Sequence, residues 1–181
     1  ELHGTDAGDS FYVDYTDLNT VIRGMAGNDY IFVDESIRAL VDLYGGAGDD
    51  VYRLSLRALT SGLLTIHDSV GSEHDQLFAE GTSGDDVLVM RYNDLTFNNQ
   101  HIDFVYPGIE ELSVDGAGGD DVFSIQANDK ELHVYGSYGN DTFNISTDAP
   151  SNMGNTNLIL EDLFIDGGAG QNRLFVSNRG G

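Results

Sequence analysis

A ten-residue unit opening on glycine recurs seven times along this 181-residue chain. Nothing else in the sequence limits the fold as tightly. The copies start at Gly4 (GTDAGDSFYV), Gly24 (GMAGNDYIFV), Gly45 (GGAGDDVYRL), Gly81 (GTSGDDVLVM), Gly116 (GAGGDDVFSI), Gly136 (GSYGNDTFNI) and Gly167 (GGAGQNRLFV). The first position is glycine in all seven; the fourth is glycine in six, with Ala7 the exception. The sixth is aspartate in six copies (Asp9, Asp29, Asp50, Asp86, Asp121 and Asp141), and Asn172 takes that place in the last. The eighth and tenth positions are apolar in every copy, from Phe11/Val13 through Tyr52/Leu54 and Phe123/Ile125 to Leu174/Val176. A spacing of two gives a strand one buried face. Two residues before each leading glycine stands another apolar residue: Leu2, Ile22, Leu43, Ala79, Val114, Val134 and Ile165. Each unit therefore reads strand, glycine turn, strand. A helical pattern is absent throughout.

The intervals between copies are 20, 21, 36, 35, 20 and 31 residues. A coil of about 20 residues has room for two or three short strands and their turns. Stacked coils set equivalent strands side by side, and their apolar positions form columns that each unit completes only with its neighbours. The expected fold is all-β: a right-handed parallel β-solenoid, the hand following the usual crossover preference. Residues 1–181 read as a single module that begins and ends inside the pattern, as a fragment of a larger protein does. The longer intervals call for insertions, and excursions are expected at 57–80, 91–107 and 146–157. Within 57–80, HDQLF echoes the aspartate–apolar part of the repeat, so that stretch reads as a whole coil with a degenerate turn. Residues 91–107 suggest an inserted hairpin, LTFNNQHIDFVY, that turns at Pro107-Gly108.

Charge narrows the partners. Eight basic residues stand against 31 acidic ones, a formal net charge of −23, and Lys130 is the only lysine. Such a surface repels nucleic acid and anionic membranes and suits cations. No apolar run approaches the roughly 20 residues needed to span a bilayer, so membrane insertion is not expected. The opening ELHGTDAGDS does not read as a signal peptide. Without cysteine there is neither a disulfide framework nor thiol chemistry.

The turn resembles the glycine- and aspartate-rich nonapeptide G-G-x-G-x-D-x-U-x of the repeats-in-toxin (RTX) family, in which U is a large apolar residue. GGAGDDVYR (45–53) matches it at every position, and four other copies match except at the second. The resemblance implies calcium as cofactor. It implies side-chain ligation by Asp9, Asp29, Asp50, Asp86, Asp121 and Asp141. Turn-backbone ligation would come from Gly24, Gly27, Gly45, Gly48, Gly81, Gly84, Gly116, Gly119, Gly136 and Gly139. Family members typically run the nonapeptide in tandem, with a motif at each end of a coil. This chain has one motif per coil, so the implied calcium ions form a single row. The pairs expected to stack directly are 4/24/45 and 116/136.

A metal-free alternative stands beside this one, because Asp and Asn in turns often hydrogen-bond their own backbone. Against it, stacked carboxylates repel by about 1 kcal/mol per close pair even in high dielectric. The fifth position adds Asp49, Asp85 and Asp120 to that load. No established catalytic motif is present. His67-Asp68 and His74-Asp75 are weak acid–base or metal candidates, expected as surface residues at turns and strand ends. The chain reads as non-catalytic: a calcium-stabilised structural or adhesive module of a secreted or cell-surface protein, as the resemblance implies. The alternatives are a β-helical polysaccharide-active enzyme or glycan-binding domain, and a metal-free structural solenoid or filament subunit. Partners are calcium ions, neighbouring modules or further copies stacked end to end, and glycans.

Overall fold

The computed structural model describes residues 1–58, 63–68, 73–105 and 108–179. Parts of the 57–80 segment and the Pro107 side of the expected Pro107-Gly108 turn lie outside the described residues. Strands follow the repeat closely. They are β1 (Leu2–His3), β2 (Ser10–Val13), β3 (Thr20–Ala26), β4 (Tyr30–Val33), β5 (Val41–Ala47), β6 (Val51–Ser55), β7 (Leu64–His67), β8 (Gln76–Glu80) and β9 (Val87–Met90). Next come β10 (Asp94–Phe97), β11 (Gln100–Val105), β12 (Glu111–Asp115), β13 (Val122–Ile125), β14 (Glu131–Tyr135), β15 (Thr142–Ile145), β16 (Leu163–Asp166) and β17 (Arg173–Val176). One 3₁₀ turn, Leu56–Ala58, is the sole helical element among the described residues. The protein is all-β, built of parallel strands in stacked coils.

Two compact units emerge: Glu1–Glu80 with Gln100–Leu112, and Gly81–Asn99 with Ser113–Gly181. In the first, β1, β3, β5, β7 and β11 pair successively in parallel. So do β2, β4, β6 and β8. The strand entering each glycine turn thus joins one sheet and the strand leaving it joins the other. Register is set by the buried columns. Ile31, Tyr52 and Leu77 are aligned across β4, β6 and β8, and each is fully buried. A slip of one residue would turn every such column to solvent.

In the second unit β9, β13, β15 and β17 run parallel, while β14 pairs with β16 and lies beside β12. Leu88, Phe123 and Phe143 form its central column. The two phenylalanine rings stack at 4.8 Å and 4°.

The 91–107 stretch forms the two strands of the expected hairpin, neighbours in the strand order. They are joined by Asn98 and Asn99 at φ 45° and 68°. In addition, β10 pairs antiparallel with β9, and β11 runs parallel to β7. The 146–157 stretch is a loop without a strand, as expected. It is gathered on Asp148, whose Oδ1 accepts from Ser146 Oγ (2.6 Å) and the Gly154 N–H (2.7 Å).

Candidate metal centre

Glycine and aspartate converge in the turn between the two strands of a repeat. The fourth-position glycine has a left-handed backbone in most copies; at Gly48, φ is 128°. A Cβ there would sit 2.5 Å from the Gly27 carbonyl oxygen of the preceding coil. Dihedral and stacking distance both demand glycine.

Within that turn the sixth-position side chain reaches along the stack. Its Oδ1 accepts the backbone N–H of the equivalent residue one coil earlier. In the first unit Asp9 donates to Asp29 (2.7 Å), Asp29 to Asp50 (2.7 Å), and Asp50 to Asp75 (2.8 Å). In the second, Asp86 donates to Asp121 (2.8 Å), Asp121 to Asp141 (3.0 Å), and Asp141 to Asn172 (2.8 Å). Each unit carries its own ladder of carboxylates. The expected stacking of 4/24/45 and of 116/136 appears in these bonds. A second, outer ladder at the fifth position runs the other way: Asp120 N–H donates to Asp85 Oδ1 (2.8 Å) and Asn140 N–H to Asp120 Oδ1 (2.9 Å).

The other carboxylate oxygen separates the turns into two kinds. In Asp29, Asp50, Asp121 and Asp141, Oδ2 is buried and has no hydrogen-bond partner. The residues themselves are at most 2% exposed. Around Asp29, its Oδ2 and the Gly45 carbonyl oxygen lie 2.0 and 2.4 Å from where a Gly24 Cβ would be. At Gly136 the same point lies 2.3 Å from Asp141 Oδ2 and 2.8 Å from the Gly167 oxygen. Two acceptors face one small space, and they cannot bond each other. A hard cation that takes oxygen ligands fits that donor set.

The turns at Thr5 and Thr82 solve the problem internally. Asp9 Oδ2 accepts from the Thr5 N–H (2.6 Å) and Oγ1 (3.0 Å). Asp86 Oδ2 accepts from the Thr82 N–H (2.7 Å) and Oγ1 (3.0 Å). Asn172 offers a third solution: its Nδ2 donates to the Gly167 carbonyl oxygen at 2.7 Å. An amide nitrogen stands there in the role that an orphaned oxygen has in the aspartate turns.

Electrostatics bear on the same four buried carboxylates. Burial pushes the carboxyls of Asp50 and Asp121 up to about 7, against the N–H bonds that each Oδ1 accepts; neighbouring aspartates add to the rise. Asp29 and Asp141 are raised by burial as well. An ionised carboxylate in such a place lacks compensation unless a cation supplies it.

Among the backbone candidates, Gly24, Gly45, Gly81, Gly116 and Gly136 each face the carboxylate of their own repeat. Gly27, Gly48, Gly119 and Gly139 have positive φ. Gly84 does not share that conformation, and a Cβ on it would meet only Thr82 Oγ1 at 3.7 Å.

One rung was misjudged from sequence. Asp75, expected at the surface, is fully buried and forms the fourth rung of the first ladder. Its carboxyl is likewise pushed up to about 7 by burial. The signal was the HDQLF echo, which places Asp75 two residues before Leu77, as Asp50 precedes Tyr52. His67 is half-buried, with Nε2 3.1 Å from Asp42 Oδ1 and its ring stacked 4.4 Å from Tyr44.

No curated protein and no solved structure matches the chain. A family model does match, that of the RTX calcium-binding nonapeptide repeat in four copies, over residues 15–35 and 42–54. Those residues contain the Asp29 and Asp50 turns, both of the orphaned-oxygen kind. Over residues 15–35 and 42–54 the chain thus matches RTX calcium-binding nonapeptide repeats, and calcium is the ion such repeats bind.

Proposed function

We propose that the chain is a non-catalytic structural module whose coils are locked by calcium at the turns of Asp29, Asp50, Asp121 and Asp141. Carbonyl oxygens of stacked glycine turns add ligands, as the Gly45 oxygen beside Asp29 and the Gly167 oxygen beside Asp141 are placed to do. The turns of Asp9 and Asp86 are closed by threonine and act as metal-free caps. One observation carries this reading: the buried Oδ2 atoms of Asp29, Asp50, Asp121 and Asp141 lack any hydrogen-bond partner, while the Thr5, Thr82 and Asn172 turns bring their own donors. Calcium turns each orphan from a cost into a ligand. It also offsets the repulsion within a chain of formal charge −23.

The same chemistry suits a protein exported to a calcium-rich exterior, since metal binding to a site absent from the unfolded chain is folding free energy. A secreted or cell-surface role follows from that coupling. Calorimetric titration of calcium into chelator-treated protein is the test. Saturable heat with several ions per chain is expected, and the absence of binding heat at pH 7.5 would sink the reading.

A further inference from the structure

The turn at Asp50 departs from its neighbours in the oxygen that it faces. At Gly24 the next coil contributes a glycine carbonyl beside the aspartate Oδ2, and Gly81 and Gly136 repeat that arrangement. At Gly45 the corresponding point is met by Asp50 Oδ2 at 2.1 Å and by Tyr52 Oη at 2.4 Å. The next coil has no glycine there. Strand β5 pairs with β7 through Tyr44 and His67, so the residue in register with Gly45 is Asp68.

Asp68 is firmly placed. Its Oδ1 accepts the Gly46 N–H at 3.2 Å, and its Oδ2 accepts the Tyr52 hydroxyl at 2.6 Å. Carboxylate oxygens of Asp50, Asp68 and Asp75 all lie within 4.8 Å of one another. Calcium–oxygen bonds of about 2.3–2.6 Å let one ion reach oxygens so spaced. Beyond their proximity, Asp50 and Asp75 are both 0% exposed, and each has an Oδ2 without a hydrogen-bond partner. A cavity of about 460 Å³ lined by Arg23, Tyr44, Gly45, Gly46, His67 and Asp68 opens on the Asp68 side of the cluster.

We infer that at the Asp50 turn the calcium site is completed off-motif by Asp68 and Asp75, and that it is the tightest site of the chain. Asp68 supplies a carboxylate where the regular turns supply a neutral carbonyl. Ligand charge is a main determinant of calcium affinity, so three carboxylates outrank the one or two of a regular turn. Tyr52 is a positioning residue, since its hydroxyl holds Asp68 over the site. The inference shares the calcium chemistry proposed for the regular turns and the ligand Asp50, but it depends on Asp68 and Asp75, which no regular turn uses.

The test is calcium calorimetry on chelator-treated protein, comparing the whole chain with Asp68→Asn and Tyr52→Phe. Circular dichroism in saturating calcium checks that each variant is folded. Asp68→Asn should lose one ion per chain, the one that binds first, and leave the weaker ions unchanged. Tyr52→Phe should keep the full number of ions but weaken the tightest at least several-fold. In crystals soaked with lanthanum, anomalous density should appear between the three carboxylates even if a variant does not fold. Unchanged stoichiometry and affinities in Asp68→Asn, or lanthanum only at the regular turns, would overturn this site alone. Failure of the unaltered chain to bind any calcium would overturn both this site and the regular ones.

Discussion

Asp121 and Asn172 occupy the same position of the same repeat in one unit, yet they leave the turn in opposite states. The asparagine donates to its own glycine carbonyl, whereas the aspartate buries an oxygen that bonds to nothing. Asp121→Asn should therefore stabilise the calcium-free protein by about 1 kcal/mol, the net worth of one added hydrogen bond. It should also remove one bound calcium. Denaturant melts in chelator and calcium titration of the same variant check both halves. Asp86→Asn should remove no calcium, because threonine already satisfies that carboxylate.

A pH dependence follows from the same residues. In calcium-free protein the Asp50, Asp75 and Asp121 carboxyls sit at about 7, while in the unfolded chain they ionise near 4. Between those values the folded state holds protons that the unfolded state has released. Stability is therefore greatest below about pH 4, falls as pH rises to about 7, and levels off above. Melting temperatures in chelator across that range test the direction, and Asp121→Asn should flatten the slope. A melting temperature that climbs over this window would contradict it.

At the level of the element, turn and strand fail in different ways. Gly48→Ala forces a side chain into a left-handed backbone and against the Gly27 carbonyl. A loss of about 1–3 kcal/mol is expected. Gly84→Ala, at the same repeat position, should be tolerated within about 0.5 kcal/mol, because that turn is built on threonine rather than on positive φ. Equal destabilisation by the two would contradict the two kinds of turn. In the strands, Phe123→Ala removes the ring stacked on Phe143 and should cost about 3–5 kcal/mol, read from chemical denaturation.

The strand pattern was legible because alternation is local: Tyr52 and Leu54, or Phe123 and Ile125, announce a buried face within three residues. The sixth-position aspartates were equally legible as a series. What each one bonds to was not, because the partner lies 20 to 35 residues away on the stack. Asp75 shows the limit most clearly. Its turn has Val70 and Glu73 where the motif has its first and fourth glycines, and only the stacking of β6 on β8 brings it under Asp50. The distinction between Thr82 and Ala117 at the second position was visible in the letters. Its meaning rests on a threonine hydroxyl reaching a carboxylate four residues on.

For the whole molecule the governing quantity is charge. Thirty-one acidic residues against eight basic ones, several of them stacked and buried, make a fold that is self-repelling without cations and coherent with them. Each calcium bound only by the folded state adds stability by mass action, about 2.7 kcal/mol per site at a hundredfold excess over its dissociation constant. Among the described residues, surface ion pairs such as Arg57–Asp34 and Arg91–Asp94 are too exposed to replace that contribution.

The central claim, that calcium holds the aspartate ladders together, meets its most direct test in thermal melting at pH 7.5 with excess chelator and with millimolar calcium. A melting temperature higher by ten degrees or more in calcium is expected from several sites of that strength, with magnesium giving a much smaller rise. The same melting temperature in chelator and in calcium would contradict it.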